Sequence, residues 1–188
     1  MKSSQSMRLF IGIPLAAQVV AQLAAICNRL RADRDNLRWS TAESWHITLQ
    51  FLGETSLERY NCLVPRLRAV KSPRVFVQLA GLDFFDRAGV FFAGVDVSPE
   101  LQVLQKRVTD STAYCGFAPE TRPYHPHVTL ARAKGDRRGH SLRDLRQKAG
   151  REQRFASFTA EEFLLYEAFL SPSGSRYEVR ERFAFAAA

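Results

Sequence analysis

The chain has 188 residues, which is long enough for one well-buried core and short for two independent domains. Its 46% hydrophobic and 24% charged residues exclude an intrinsically disordered chain, and no apolar segment is long enough to span a bilayer. The net charge of +8, from 27 basic and 19 acidic residues, favours polyanionic partners such as nucleic acid or phosphorylated metabolites, although such an excess also serves solubility.

The first half of the chain predicts strands and helices in alternation, and the second half predicts the same order. Apolar residues recur every three or four positions in the predicted helices, and short β-rich runs bounded by turn residues mark the strands. In chain order the predicted elements are a strand at 9–13, a helix at 16–31, a strand at 45–53, a helix at 57–70, strands at 75–85 and 90–97, a helix at 99–115, a strand at 125–133, a short helix around 142–145, and strands at 158–170 and 176–185.

The two halves also share a motif. The pattern His-x-Thr-Leu begins at His46 and again at His127, 81 positions later (127 − 46), although the chain has only four histidines. The chance of two such matches is on the order of one in ten thousand if positions are independent. The same offset aligns RLFIGIPL near the N-terminus with GVFFAGVDV, and each of these is followed by a predicted helix. The sequence is therefore duplicated.

This duplication predicts an α+β fold with two lobes, each a sheet covered by helices, related by a pseudo-two-fold axis around a central cleft. Because no linker separates the repeats, we expect residues 1–188 to form a single domain, with an internal repeat of roughly 7–87 and 88–188. The two motif strands would meet at the cleft.

Strand geometry gives the motif a chemical meaning. Alternate side chains of a strand share a face, so His46 and Thr48 point one way, as do His127 and Thr129, while the aliphatic residues between them point into the core. One neutral imidazole can take a proton from an attacking water while a protonated one supplies a proton to a leaving oxygen. The threonine hydroxyls can donate hydrogen bonds to phosphate oxygens. Arg132 has the wrong parity and would reach this face only if the strand bulged or ended.

The three cysteines, Cys27, Cys62 and Cys115, are far apart in sequence and show no zinc or redox spacing. Cys27 and Cys115 fall on apolar helical positions, so we expect both to be buried thiols in a reducing cytoplasm.

The paired motifs, with the phrases RLFIGIPL, WHITLQFLGE and HPHVTLAR, resemble the two-histidine phosphoesterase superfamily, and within it the bacterial RNA 2′,3′-cyclic phosphodiesterases, historically called 2′-5′ RNA ligases. The resemblance covers nearly the whole chain. It implies hydrolysis of the 2′,3′-cyclic phosphate at an RNA 3′ end to a 2′-phosphate, without metal or other cofactor, and 2′-5′ ligation as a side activity.

The resemblance also implies residue roles and partners. His46 would be the proton donor and His127 the proton acceptor, while Thr48, Thr129 and Arg132 would bind the phosphate. The implied substrate is RNA with a 2′,3′-cyclic phosphate terminus, including tRNA fragments or small cyclic nucleotides. We expect a cytoplasmic monomer that does not bind membranes.

Other interpretations remain open on sequence alone. A nucleotide-binding or RNA-binding module could keep the pocket without turnover, and a zinc hydrolase could be built on His46, His125 and His127. No base-stacking residue is evident. Phe10 and Tyr124 are candidates for which a scaffold role is favoured, and the basic stretch 134–151 is either an RNA-steering surface or a solvated face.

Overall fold

The computed structural model of the protein describes residues 6–33, 35–135, 138–149, 154–171 and 174–186. Its strands are β1 (Met7–Pro14), β2 (Leu37–Trp39), β3 (His46–Thr55), β4 (Val75–Val77), β5 (Leu79–Phe85), β6 (Val90–Val95), β7 (His127–Ala133), β8 (Phe158–Ala160), β9 (Glu162–Ser171) and β10 (Gly174–Ala184). Its helices are α1 (Ala17–Leu30), α2 (Leu57–Arg68), α3 (Pro99–Ala113) and α4 (Arg138–Ala149), with one 3-10 turn at Ala42–Ser44.

The predicted order of elements is confirmed, with two differences. Strand β2 and the 3-10 turn were not predicted, because a three-residue strand carries too little periodicity to detect. The runs 75–85 and 158–170 each divide into a short and a long strand. The short strands β4 and β8 pair with each other in a separate two-stranded sheet, while β5 and β9 join the two large sheets.

The two large sheets exchange strands between the halves of the sequence. One has the order β10-β9-β1-β3 and the other β2-β7-β6-β5. Strand β9, from the second half, pairs with β1, and β5, from the first half, pairs with β6. The expected duplicated two-lobed α+β fold is confirmed, and each large sheet contains two strands from each half of the sequence.

Among the described residues, one large cluster of buried residues runs through both lobes, and a smaller one groups Phe10, Leu164 and Tyr166. Helix α1 contributes Val19 and Leu23, and α3 contributes Leu101 and Leu104, all fully buried; Leu23 and Leu104 are equivalent in the repeat. Ser98 begins α3 by accepting a hydrogen bond from the Leu101 amide at 3.2 Å, which satisfies one of the free amides of the first turn. Within the described ranges, no helix is long and apolar enough to cross a membrane.

The cysteine prediction was right for Cys27 and wrong for Cys115. Cys27 is a buried free thiol, and burial raises its pKa to about 11. Cys115 instead forms a disulfide with Cys62. Helices α2 and α3 pack against each other, which brings the two Cα atoms to 5.8 Å although the residues are 53 positions apart in sequence. Sequence spacing cannot show this, because the contact is made by helix packing.

We expect reduction of this disulfide to destabilise the protein. Cross-linking residues 53 positions apart restricts the unfolded chain, and the chain-entropy relation gives up to ~4 kcal/mol in the free energy of unfolding. Urea unfolding with and without a phosphine reductant measures the difference. The Cys62→Ser/Cys115→Ser variant is the control and should be insensitive to reductant. Identical unfolding midpoints for the wild type in both conditions would show that the bond contributes nothing.

Candidate functional site

The two motif strands, β3 and β7, contact each other where the lobes meet, and a cleft of about 220 Å³ opens there. Residues from both strands line it, together with residues from β2, from the segment that includes the 3-10 turn, and from the start of β10. The lining residues are Arg38, Trp39, Ser40, Thr41, Ser44, His46, Thr48, Phe51, His127, Thr129, Arg132, Gly174, Ser175 and Tyr177. All five site residues expected from the sequence are therefore brought together.

The expected alternation along the motif strands is present. Ile47 and Val128 are fully buried, while the histidines and threonines on either side of them are partly exposed and line the cleft. The aliphatic residues thus hold each strand against the core, and the polar residues face the cleft from a rigid support.

Both motif imidazoles are oriented in the same way. Nδ1 of His46 lies 2.8 Å from the carbonyl oxygen of Ser44, and Nδ1 of His127 lies 2.8 Å from the carbonyl oxygen of His125. A carbonyl oxygen only accepts, so Nδ1 of each neutral ring carries the hydrogen and Nε2 is the nitrogen left to exchange a proton. The 3-10 turn places the Ser44 carbonyl, which gives this short unpredicted element a role in the site.

The absence of a side chain at Gly12 leaves room for the His46 ring. It lies on β1 opposite Thr48, and a Cβ atom added there would come within 2.8 Å of the Ile47 carbonyl oxygen and 3.3 Å of the His46 ring. Any larger residue would therefore displace the β3 backbone or the imidazole.

Aromatic rings that do not line the cleft pack against both imidazoles. Phe10 packs under His46 with ring centroids 4.5 Å apart, and Phe85 contacts His127 edge-on at 5.0 Å. These rings remove water from one side of each imidazole.

This partial burial shifts both pKa values. Burial lowers the pKa of His46 to about 4; the Ser44 carbonyl opposes this shift and the nearby His127 adds to it. Burial likewise lowers the pKa of His127, which the His125 carbonyl opposes, while the His125 ring and Arg132 lower it further. Both rings are therefore neutral near neutral pH when the cleft holds no anion. An anionic phosphate would favour the protonated form.

Arg132 reaches the cleft because β7 bulges. Phe92 pairs with Thr129 and Phe91 with Ala131, so Leu130 has no partner on β6. Leu130 and Ala131 are both buried as a result, and the alternation restarts with Arg132 on the same side as Thr129. By sequence parity, Arg132 required a bulge or strand end to reach the motif face, and the bulge is present.

Sequence reasoning missed Phe51. A bulge at Leu49 of β3 mirrors the one in β7, and Phe51 lies 81 positions before Arg132, at the equivalent place in the repeat. Its side chain is 69% exposed and lines the cleft. The repeat offset would have identified it. The other missed lining residues lie on elements that carry no motif, above all Arg38 and Trp39 on β2 and Tyr177 on β10.

His125 does not join the other two histidines in the cleft. Its exposed ring packs edge-on against Phe85 at 5.1 Å and is not among the lining residues. Among the described residues, no three His, Cys, Asp or Glu side chains are grouped so that they could hold a metal ion. The three-imidazole zinc site considered from the sequence is not assembled.

The two base-stacking candidates prove to be scaffold. Phe10 is buried beneath His46, and the Tyr124 hydroxyl donates to the Thr48 carbonyl oxygen at 3.2 Å. Residues 136, 137, 150 and 151 of the basic stretch 134–151 lie outside the described residues. In the described part, Arg146 of α4 pairs with Asp86 at 2.9 Å and covers the Phe84 ring, so this arginine is engaged with the protein itself.

Comparison with known proteins agrees with the sequence motifs. Residues 13–168 match the family model described as the 2′-5′ RNA ligase superfamily. An RNA 2′,3′-cyclic phosphodiesterase of Aeropyrum pernix is 34% identical over 72% of this chain and 79% of its own length, and one of Thermotoga maritima is 27% identical over 92% of each chain. The crystal structure of Escherichia coli LigT complexed with 3′-AMP superimposes with a TM-score of 0.80 at 25% identity, covering 97% of this chain and all of that one.

Proposed function

The chain belongs to the 2′-5′ RNA ligase superfamily, and we propose that it hydrolyses 2′,3′-cyclic phosphate ends of RNA to 2′-phosphates without a metal ion. The observation that carries the proposal is the pair of imidazoles, His46 and His127, each with Nδ1 bound to a carbonyl, facing one cleft together with two threonine hydroxyls. Two such rings supply both proton transfers of a phosphodiester hydrolysis.

The reaction proceeds by attack of water on the cyclic phosphate. His127 takes a proton from the water as the new P–O bond forms, and His46 gives a proton to the 3′ oxygen as the P–O3′ bond breaks. The 2′ ester remains, and the product is a 2′-phosphate. The assignment of donor and acceptor follows the family resemblance, because both rings are oriented by the same kind of carbonyl contact at Nδ1, which does not distinguish the two roles.

Three further residues bind the substrate phosphate. Thr48 and Thr129 share the faces of the two histidines, and their hydroxyls donate to the non-bridging oxygens as negative charge accumulates on them. Arg132 offers a guanidinium on the same side as Thr129. Phe51, exposed at the cleft, provides a surface on which the terminal base stacks.

The family acts on RNA ends with cyclic phosphates, and for this chain we include tRNA fragments and small cyclic nucleotides among the substrates. Attack by a 5′-hydroxyl in place of water gives 2′-5′ ligation by the same chemistry. We further propose a cytoplasmic monomer and a single domain over residues 1–188. The strand exchange between the sheets supports the single domain.

The two lowered pKa values predict the pH dependence. The reactive enzyme carries one proton on the histidine pair, and raising the pH removes it from the ring that must act as donor. Because the pKa values of the free rings lie below 6.5, kcat/KM should fall about tenfold per pH unit above neutrality.

Bound substrate changes this profile. The phosphate anion raises the pKa of the donor, so the alkaline limb of kcat should lie about one pH unit or more above that of kcat/KM. Steady-state rates between pH 5 and 9 in buffers of constant ionic strength measure both limbs. A kcat/KM that stays constant from pH 6 to 8 would contradict the lowered pKa values.

The function itself is tested with a short RNA ending in a 2′,3′-cyclic phosphate, incubated with the protein in excess EDTA. The expected product carries a 2′-phosphate, which resistance to a 3′-specific phosphatase or ³¹P spectroscopy distinguishes from the 3′ isomer. Recovery of activity only with zinc would favour a metal hydrolase. Nucleotide binding without turnover under either condition would favour a binding module.

A further inference from the structure

A second arginine lies directly opposite Arg132. In the antiparallel ladder of β2 and β7, Arg38 is the Cα partner of Arg132, and both side chains are exposed and line the cleft. Directly opposite residues of an antiparallel pair project to the same face of the sheet, with Cβ atoms about 4.5–5.5 Å apart. Two guanidinium groups therefore extend side by side from one wall of the cleft.

This pair of like charges has no acidic partner among the residues the structure describes, where neither arginine takes part in an ion pair or a side-chain hydrogen bond. Asp35, close by in the sequence, is occupied: its carboxylate accepts from the Trp39 indole at 2.7 Å and from the Leu37 amide at 2.9 Å. Like charges at directly opposite positions repel each other. An anion bound between or beside them would remove that repulsion.

The position of β2 indicates which anion Arg38 would meet. The catalytic histidine and threonine of the second motif lie on β7, and β2 is the next strand outward, at the edge of its sheet. Neighbouring strands are about 4.8 Å apart, so the Arg38 backbone lies about one strand spacing from the strand that carries His127 and Thr129. With the cyclic phosphate held at the β7 residues, Arg38 is positioned to bind a negatively charged group next to that phosphate.

We propose that Arg38 binds the phosphodiester linking the terminal nucleotide to the nucleotide before it. This inference rests on the proposed function and predicts a preference for oligoribonucleotide ends, since a cyclic mononucleotide has no such phosphate. Arg132 then binds the cyclic phosphate, and Arg38 binds the adjacent internal phosphodiester. The sequence offered no sign of this, because Arg38 lies outside both motifs.

The test compares three substrates with wild-type protein and the Arg38→Gln variant. The substrates are 2′,3′-cyclic AMP, the dinucleotide ApA with a 2′,3′-cyclic phosphate end, and the same dinucleotide with an uncharged methylphosphonate linkage. We expect Arg38→Gln to lower kcat/KM about tenfold or more on the natural dinucleotide, as loss of a charge-assisted hydrogen bond does, and less than about twofold on the other two. Arg74→Gln, an exposed arginine that does not line the cleft, is the matched charge control.

Equal losses on all three substrates would assign Arg38 to the cyclic phosphate itself, and no loss on any would remove it from the site. Either result overturns the proposal. A binding experiment tests the proposal for Arg38 without requiring turnover. Calorimetry measures the affinities of the wild type and of Arg38→Gln for adenosine 2′-phosphate and for ApA 2′-phosphate. If the wild type hydrolyses nothing, the proposed function fails. Tighter binding of the dinucleotide that Arg38→Gln abolishes would still support Arg38, and equal affinities for both ligands in both proteins would refute it.

Discussion

Replacing either His46 or His127 with alanine should lower kcat on an RNA 2′,3′-cyclic phosphate by about 10²- to 10⁴-fold, with a much smaller change in KM. Each ring transfers a proton in the transition state, and the loss of such a group has this effect on the rate. Because both act in one step, the double variant should lose far less than the product of the two single effects. Single-turnover kinetics at saturating substrate measure the chemical step directly.

His125→Ala is the informative companion variant. Its side chain lies outside the cleft and only its main-chain carbonyl orients His127, so we expect the variant to stay within about tenfold of the wild-type rate. A loss as large as that of His46→Ala would point to a site built on three imidazoles. Wild-type rates in both His46→Ala and His127→Ala would rule out the two-histidine mechanism.

A sulfur substitution separates the two roles. In a cyclic phosphate whose 3′ oxygen is replaced by sulfur, the leaving thiolate needs no proton, because the pKa of a thiol is near 8.5. If His46 is the donor, His46→Ala should recover most of its rate on this substrate while His127→Ala stays slow. Recovery of His127→Ala instead would reverse the assignment.

Replacing Arg132 with alanine should lower kcat/KM by about 10²- to 10³-fold, the second of the two largest effects we expect. Its guanidinium lies on the same side as Thr129 and would neutralise charge developing on the phosphate oxygens. Arg132→Lys should recover part of the loss, since it keeps the charge and loses the paired donors. Steady-state kinetics on the cyclic phosphate substrate measure the effect, with Arg74→Ala as the exposed control.

The pH profile provides a second readout for the same variant. Arg132 lowers the pKa of His127, so its removal should move the pH profile of the residual activity upward. A merely structural role for Arg132 would reduce activity without moving the profile. Wild-type kcat/KM in Arg132→Ala would exclude this residue from phosphate binding.

Much of the site could be read from the sequence because it depends on local geometry. The alternation of side chains along a strand is a property of the extended backbone, so His46 with Thr48, and their counterparts in the second motif, were assigned to one face before any pairing was known. The duplication showed that two such faces exist. Helices α1 and α3 could also be predicted from the sequence, because the spacing of apolar residues along an amphipathic helix shows which face is buried.

The remaining features depend on contacts between distant segments. The bulges at Leu49 and Leu130, which bring Phe51 and Arg132 to the cleft, arise from the register between paired strands, and a single strand does not contain that information. The Cys62–Cys115 disulfide exists because two helices pack together.

The sequence by itself determined the repeat, the order of elements, and the histidines and threonines of both motif faces, because those depend on local backbone periodicity. Only the tertiary structure decided the exchange of β5 and β9 between the sheets, the carbonyl contacts that orient both imidazoles, and the placement of Arg38 beside Arg132. These depend on which distant strands lie side by side, and that choice is made by packing of the whole core.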